Sequence, residues 1–120
     1  MEDAVLNPYL KQLAIAAQNA PPGSRQRRRS LADLIRTIQG SSQLSRPYQG
    51  QFVHLYEDIY AEATQQLFTY LCKNIESYRP EHEVMQWVNF LLKRRFFYSN
   101  VVFFTLPAKN LSLTTVFLSY

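Results

Sequence analysis

The sequence predicts an all-α fold of four helices, and three observations lead to this prediction. The chain has 120 residues but only 3 glycines and 6 prolines. Residues 52–78 contain neither of these helix breakers, and their apolar side chains recur at helical spacing. Apolar residues make up 47% of the chain and charged residues 18%, which suffices for one hydrophobic core at this length. We expect one helical domain over residues 1–98 and a short hydrophobic tail over residues 99–120.

The first helix is predicted over residues 2–19. Its apolar face consists of side chains spaced three and four residues apart, namely Leu6, Leu10, Leu13 and Ala17, with Tyr9 beside them. The tandem prolines Pro21 and Pro22 end this helix, because proline lacks the backbone N–H that a helix interior requires.

The second helix is predicted to begin at Ser30, whose hydroxyl can cap it, with Asp33 in the position of a capping-box acid. An apolar stripe follows, formed by Leu31, Leu34, Ile35 and Ile38. An arginine cluster precedes the stripe and consists of Arg25, Arg27, Arg28 and Arg29. We expect this cluster in an exposed loop or at the helix start, where it is either solvated or attracts phosphate non-specifically.

The third helix is predicted to be the longest, over residues 52–78, and Pro80 separates it from a fourth helix over residues 81–98. The side chains expected to point inward from the third helix are Leu55, Ile59, Ala63, Leu67, Tyr70, Leu71 and Ile75. Those of the fourth helix are Val84, Trp87, Val88, Leu91 and Leu92. Three cations at residues 93–95 fall in its final turns, where positive charge is favoured by the helix dipole.

After Asn100 the pattern changes to β-branched and aromatic runs. Residues 101–106 and 113–118 are predicted as two strands, which either form a hairpin packed on the helices or remain disordered. No membrane span is expected, because Pro107 and Lys109 interrupt the run of roughly 20 apolar residues that a bilayer requires. The acidic start of the chain and its single cysteine predict a cytoplasmic protein in a reducing compartment.

No cluster in the sequence predicts catalysis or a cofactor. His54, Glu57, Asp58 and Glu62 either hold a metal ion or form a solvated helix face. The solvated face is the expectation, because no matching metal motif occurs on another helix. Cys72 could act as a nucleophile beside a histidine, but its apolar neighbours predict a packed thiol instead. We therefore predict that the chain is not an enzyme and binds neither cofactor nor metal.

One stretch combines cations with aromatic rings. The chain carries 13 basic and 9 acidic residues, a net charge of +4. Residues 93–98 read Lys-Arg-Arg-Phe-Phe-Tyr, with Trp87 about two turns earlier, and such a surface can pair with phosphates and stack on unpaired bases. The alternative is that the rings belong to the core beside a solvated basic helix end, and composition alone favours this alternative.

Three motifs follow one another within residues 24–98. They are Glu62, Gln65 and Gln66 on the third helix, then the turn Tyr78-Arg79-Pro80, then Trp87-Val88 ahead of the basic helix end. In this order they resemble region 2 of sigma-70-type RNA polymerase sigma factors. The resemblance is closest to the small extracytoplasmic-function-like proteins of the kind found in cyanobacteria.

The resemblance implies a helical module that binds RNA polymerase and promoter DNA without catalysis of its own. By it, Glu62, Gln65 and Gln66 would face the clamp helices of the largest polymerase subunit. The side facing DNA at the −10 element would consist of Trp87, Asn89, Lys93, Arg94 and Arg95. An anti-sigma protein is a further partner that the resemblance implies.

Two departures from the family pattern bear on these expectations. Gln66 stands where an acid is usual and Ala63 where a leucine is usual, so docking on polymerase is expected to be weakened. The family also continues into a second domain, region 4, so we expect a reading frame truncated or shifted near Phe97. Two alternatives stay open: a helical protein–protein interaction module or regulator that does not bind DNA, and a non-functional remnant.

Overall fold

The computed structural model of the chain describes residues 3–52 and 54–105, and every regular element within them is helical. The predicted all-α fold is confirmed for this part of the chain, in which no strand occurs. No helix found there combines the length and the apolar character needed to cross a bilayer. Its elements are α1 (Asp3–Asn19), α2 (Arg25–Gln39), α3 (Tyr56–Lys73), a 3-10 turn (Ile75–Ser77), α4 (Val84–Leu91), a π segment (Leu92–Phe97) and α5 (Tyr98–Thr105).

The described residues form two compact units. The first unit comprises the described residues up to Ser45 together with Phe68–Asn89, and it contains α1, α2, the 3-10 turn and most of α4. The second comprises Arg46–Leu67 together with the described residues from Phe90 onward, including the π segment and α5. Helix α3 contributes to both units, since the division falls within it.

Helix α1 buries one apolar stripe in the first unit, close to the predicted one. Leu6, Leu10 and Ala17 are buried as predicted. Leu13 is only half-buried and Tyr9 is exposed, so the buried stripe lies on a slightly different side of the helix from the predicted one. The fully covered residue in their place is Ala14.

Helix α2 begins at Arg25, ahead of its predicted start. The hydroxyl of Ser24 accepts a hydrogen bond from the backbone N–H of Arg27 at 3.1 Å, so Ser24 is the N-cap. The predicted cap at Ser30 is wrong, because the arginine cluster already forms the first turn. A tight turn with Gly23 at φ 77° brings Ser24 into the capping position. The predicted stripe is confirmed at Leu31, Leu34 and Ile38, which are buried, whereas Ile35 is half-buried.

Helix α3 is shorter than predicted at both ends. Its predicted apolar stripe is confirmed except at Leu55, which precedes the helix, and Tyr70, since both are half-buried. Its fully buried residues include Ile59, Ala63, Leu67 and Leu71. The helix ends before Asn74, whose side-chain amide donates to the carbonyl oxygen of Tyr70 at 3.2 Å. The backbone N–H of Asn74 donates to the same carbonyl at 2.8 Å, and a 3-10 turn follows that keeps Ile75 fully buried.

Gln18 of α1 holds the 3-10 turn in the first unit. Its side-chain amide donates to the carbonyl oxygen of Ile75 at 2.9 Å and to that of Tyr78 at 2.8 Å. The Ile75 carbonyl also accepts from the backbone N–H of Tyr78 at 3.1 Å, so Gln18 adds a second donor there and joins α1 to both ends of the turn.

The fourth predicted helix begins at Val84 and does not end at Tyr98. It continues through the π segment into α5 and reaches Thr105, so the predicted domain boundary between residues 98 and 99 falls at the start of a helix. The strand predicted over residues 101–106 is wrong as far as Thr105. Leu106 and the second predicted strand, residues 113–118, lie outside the described residues.

Asn100 provides a physical reason for helix rather than strand at this point. It is only 2% exposed, and its amide nitrogen donates to the carbonyl oxygen of Phe96 at 2.8 Å and to the side-chain oxygen of Gln66 at 2.9 Å. A buried amide requires such partners, and the helical backbone supplies them. Tertiary contacts therefore override the β propensity of the residues that follow.

Candidate nucleic-acid interface

The π segment determines which side chains of the basic stretch are exposed. Leu92 and Phe97 are both fully buried although they are five residues apart, whereas buried positions in an α-helix recur after three or four. The i→i+5 hydrogen bonds of a π segment wind the backbone more loosely and so accommodate this interval. Lys93, Arg94 and Arg95 lie between the two anchors, and all three are exposed.

Two exposed aromatic rings flank these cations along the same stretch of helix. Phe90 is 62% exposed and Tyr98 is 48% exposed, and Arg94 lies midway between them at intervals of four residues. We call the exposed residues Phe90, Lys93, Arg94, Arg95 and Tyr98 the basic–aromatic strip. Exposed rings of this size beside cations are the combination by which proteins hold unpaired bases and their phosphates.

The three consecutive aromatic residues at positions 96–98 differ in their burial. Phe97 belongs to the core and Phe96 is half-buried, with the guanidinium carbon of Arg95 lying 5.4 Å from the centre of the Phe96 ring. Only Tyr98 of this trio is exposed. Phe90, in contrast, was not singled out from the sequence, and its four-residue interval from Arg94 is the signal that could have identified it.

The loop before α3 packs against the π segment within the second unit. The ammonium of Lys93 lies 5.7 Å from the centre of the Tyr48 ring, and that ring lies 5.7 Å from the ring of Phe97. Phe97 also contacts Tyr56, with the ring centres 5.4 Å apart. The buried Phe97 is therefore the common support of this aromatic cluster.

Arg46, at the start of the same loop, is engaged inside the unit. Its guanidinium carbon lies 4.3 Å from the centre of the Tyr60 ring and 5.2 Å from that of Tyr56, and Arg46 forms an ion pair with Glu57. The hydrogen bond to Glu57 raises the pKa of Arg46, so its charge persists. Burial raises the pKa of both tyrosines, although the charge of Arg46 opposes the shift.

The residues expected to face polymerase lie on α3. Glu62 and Gln65 are exposed, while Gln66 is half-buried. Gln66 donates to a carboxylate oxygen of Glu62 at 3.2 Å and accepts from Asn100 at 2.9 Å, so it links α3 to α5 within the second unit. A shallow recess of about 320 Å³ adjoins them, lined by Glu62, Gln66, Asn100, Phe103 and Phe104.

Trp87 and Asn89 belong to the first unit, and both make contacts inside it. Trp87 is half-buried against Tyr78, with the ring centres 5.3 Å apart and the ring planes inclined at 45°. The side-chain oxygen of Asn89 accepts from the backbone N–H of Ser45 at 2.8 Å, and its amide nitrogen donates to the carbonyl oxygen of Gln43 at 2.9 Å. Asn89 thus uses both of its polar atoms to fix the loop after α2.

The arginine cluster in the first turn of α2 divides into one buried and three exposed residues. Arg27 is buried, donates to the carbonyl oxygen of Ala20 at 3.3 Å and forms an ion pair with Glu76. Arg25, Arg28 and Arg29 are exposed. The prediction of a helix start is confirmed, but Arg27 is a structural residue.

The other candidate residues do not assemble into a reactive site in the described part of the chain. Among residues 3–52 and 54–105, no group of three or more His, Cys, Asp or Glu side chains could hold a metal ion. Cys72 is exposed, so the prediction of a packed thiol is wrong. Its neighbour Leu71 occupies the buried stripe, and the next residue lies about 100° further around the helix. Partial desolvation nevertheless raises the pKa of the Cys72 thiol.

Comparison with known proteins found no match for this chain: no family model, no curated protein and no solved structure is significantly similar to it.

Proposed function

We propose that this chain is a sigma-region-2-like module that binds the core of RNA polymerase and the unpaired −10 strand of promoter DNA. It acts in the cytoplasm and performs no catalysis of its own. The observation that carries the proposal is the basic–aromatic strip, in which Arg94 lies between the exposed rings of Phe90 and Tyr98. The resemblance of the surrounding motifs to the sigma family supports the choice of promoter DNA as the ligand.

The strip has the chemistry that a single DNA strand requires. Its three cations can replace the counterions that neutralise phosphates, which gives affinity that falls with salt. Its exposed rings offer flat apolar surface, and stacking of an unpaired base on such a ring contributes about 1 to 3 kcal/mol per base. A duplex keeps its bases stacked on one another, so the rings favour a melted strand over a paired one.

Exposure of Glu62 and Gln65 on α3 supports the polymerase-binding part of the proposal. An exposed carboxylate and an exposed amide can pair with basic and polar groups of the clamp helices of the largest subunit. Gln66 contributes chiefly by holding Glu62 in place, because its own amide is already hydrogen-bonded to Glu62 and Asn100.

A binding assay with labelled oligonucleotides tests the DNA part. The wild-type chain is expected to bind a single-stranded −10-like oligonucleotide more tightly than the corresponding duplex. Combining Phe90→Ala with Tyr98→Ala is expected to remove most of this preference, because the stacking surface is lost. Tyr9→Ala, which removes an exposed ring from α1, is the matched control and should leave the preference intact. A preference for duplex in the wild type would overturn the DNA part.

Co-purification with core polymerase tests the docking part. We expect retention of the wild-type chain and loss of retention when Glu62→Ala is combined with Gln65→Ala. The control replaces another exposed acid and amide, Glu81→Ala with Gln86→Ala, and should be retained. Equal retention of both double variants would remove Glu62 and Gln65 from the docking surface.

The same exposed rings favour one rival, a helical protein-interaction module that does not bind DNA. Phe90 at 62% and Phe103 at 51% exposure offer apolar surface that a protein partner could cover. This rival predicts capture by polymerase or an anti-sigma protein without any salt-dependent DNA binding. A non-functional remnant predicts neither.

A further inference from the structure

Tyr48 combines an unfavourable backbone conformation with an exposed ring. Its φ is 58°, in the left-handed region that a residue with a Cβ atom rarely adopts. A glycine would adopt this conformation without strain, as Gly50 does two residues later at φ 92°. Tyr48 is nevertheless 41% exposed, so the ring is not held there by complete burial.

The surrounding contacts fix the ring in place. The carbonyl oxygen of the buried Pro47 accepts a hydrogen bond from the hydroxyl of Tyr56 at 2.9 Å, which anchors the backbone immediately before Tyr48. The ring itself lies 5.7 Å from the fully buried ring of Phe97, with the planes inclined at 33°. A strained residue that is held from several sides and remains accessible is typical of a binding site.

A cation adjoins the ring. The ammonium of Lys93 lies 5.7 Å from the ring centre, within the range of a cation–π interaction. Lys93 is exposed, so its ammonium can move from the ring face to a phosphate and leave that face to a base. A nucleotide has both features in complementary form, since its base presents a flat face and its phosphate a negative charge a short distance away.

We propose that Tyr48 is a stacking platform for one unpaired base, with Lys93 pairing with a phosphate of the same strand. This inference rests on the proposed function, because it assigns an additional residue to the surface that holds the single strand. It extends the basic–aromatic strip onto the loop before α3, to which no DNA-binding residue was assigned from the sequence.

A double-mutant cycle tests the inference: Tyr48 is replaced in the protein, and one base is removed from the oligonucleotide. Tyr48→Gly removes the ring and suits the backbone conformation, so it is expected to fold. Single-stranded oligonucleotides are prepared with an abasic site at each position in turn. With the wild type, we expect one abasic position to weaken binding roughly 5- to 150-fold, the range that stacking of one base covers. With Tyr48→Gly, the same abasic site should have no further effect.

Three further variants separate stacking from a structural role of Tyr48. Tyr48→Phe keeps the ring and should retain the wild-type response to the abasic site. Phe103→Ala removes another half-exposed ring of the second unit and should also retain it. Tyr48→Ala should bind as weakly as Tyr48→Gly but unfold at lower temperature, because alanine suffers the strain that glycine avoids.

The outcomes distinguish this inference from the proposed function. If the wild type binds the strand but the effects of the abasic sites and of Tyr48→Gly are additive at every position, Tyr48 is not a stacking platform and the proposed function stands. If the wild type does not bind single-stranded DNA at all, both are overturned.

Discussion

Arg27 in the first turn of α2 forms an ion pair with Glu76 in the 3-10 turn, and the guanidinium is almost fully buried while the carboxylate is mostly exposed. Arg27 also donates to the carbonyl oxygen of Ala20, so it connects three segments of the first unit. One member of the arginine cluster therefore supports the fold. This distinguishes it from the exposed cations of the basic–aromatic strip.

Glu76→Ala is expected to lower the free energy of unfolding by about 1 to 3 kcal/mol, because it leaves a buried guanidinium without its carboxylate. Because Glu76 is mostly exposed, water can partly replace its carboxylate beside Arg27. The expected loss of stability is therefore smaller than for a fully buried ion pair. Urea unfolding followed by circular dichroism measures the change. Glu81→Ala, an exposed acid in the same unit, should change stability by less than about 0.5 kcal/mol. Equal stability of the two variants would show that the Arg27–Glu76 pair contributes nothing.

Ser24→Ala is expected to destabilise the chain by about 1 kcal/mol, because the N-cap hydrogen bond to Arg27 is lost. Ser30→Ala serves as the matched control and should be neutral or slightly stabilising, since Ser30 lies inside α2 and alanine is the better helix former. Thermal unfolding of both variants measures the difference. If Ser30→Ala were the less stable variant, Ser30 and not Ser24 would be the N-cap of α2.

Asn89→Ala is expected to destabilise the first unit by about 1 to 3 kcal/mol, because it removes the two hydrogen bonds that Asn89 makes with the N–H of Ser45 and the carbonyl of Gln43. Under conditions in which the variant is folded, the salt dependence of its binding to single-stranded DNA should equal that of the wild type. Gln86→Ala, an exposed amide on the same helix, is the control for stability. If the Asn89→Ala variant had normal stability but bound DNA more weakly, Asn89 would belong to the DNA-binding surface.

Stability is expected to fall as the pH rises from about 10 to about 12, in part because of Tyr78. Burial, with smaller contributions from Glu83 and Glu81, raises the pKa of the Tyr78 phenol from 10.0 to about 12. Between these values the folded chain retains a proton that the unfolded chain releases, so the stabilisation is complete below pH 10 and is lost as the pH rises through the folded pKa.

Tyr78→Phe provides the check on this pH dependence. It should flatten the decline in unfolding free energy measured by urea titration between pH 10 and pH 12, while lowering stability at neutral pH because the hydrogen bond to His82 is lost. Tyr56 and Tyr60 also have raised pKa values, so a part of the decline should remain. An unaltered decline in the variant would mean that Tyr78 does not retain its proton.

The sequence predicts the helices of this fold correctly wherever the apolar residues keep a single helical spacing. The predicted stripe from Ile59 through Leu71 has helical spacing throughout, and its members are buried except Tyr70, which is half-buried. The π segment breaks that period, because Leu92 and Phe97 are both buried five residues apart, and a pattern based on 3.6 residues per turn cannot indicate which ring turns inward. The strand prediction after Asn100 failed because β propensity is weaker than the two hydrogen bonds of this buried amide, a local one to Phe96 and a tertiary one to Gln66.

The exposed cations of the candidate site could be predicted from the sequence, but its exposed aromatic rings could not. Lys93, Arg94 and Arg95 are exposed, as a basic helix end suggests. Tyr48 has a positive φ and its ring packs near Phe97, and no local pattern in the sequence indicates either feature. Trp87 and Asn89 have side chains suited to DNA, yet both engage partners within the first unit.

The salt dependence of binding to a single-stranded −10-like oligonucleotide tests most directly whether residues 93–95 hold phosphates. The logarithm of the binding constant is measured against the logarithm of the salt concentration for the wild type and for Arg94→Ala combined with Arg95→Ala. A control replaces two exposed arginines of α2, Arg25→Ala with Arg29→Ala, and should keep the wild-type slope. We predict that the Arg94/Arg95 variant loses about 1.4 from the magnitude of the slope, the value for two phosphate contacts on a single strand. A slope equal to that of the wild type would contradict the assignment of this surface to DNA.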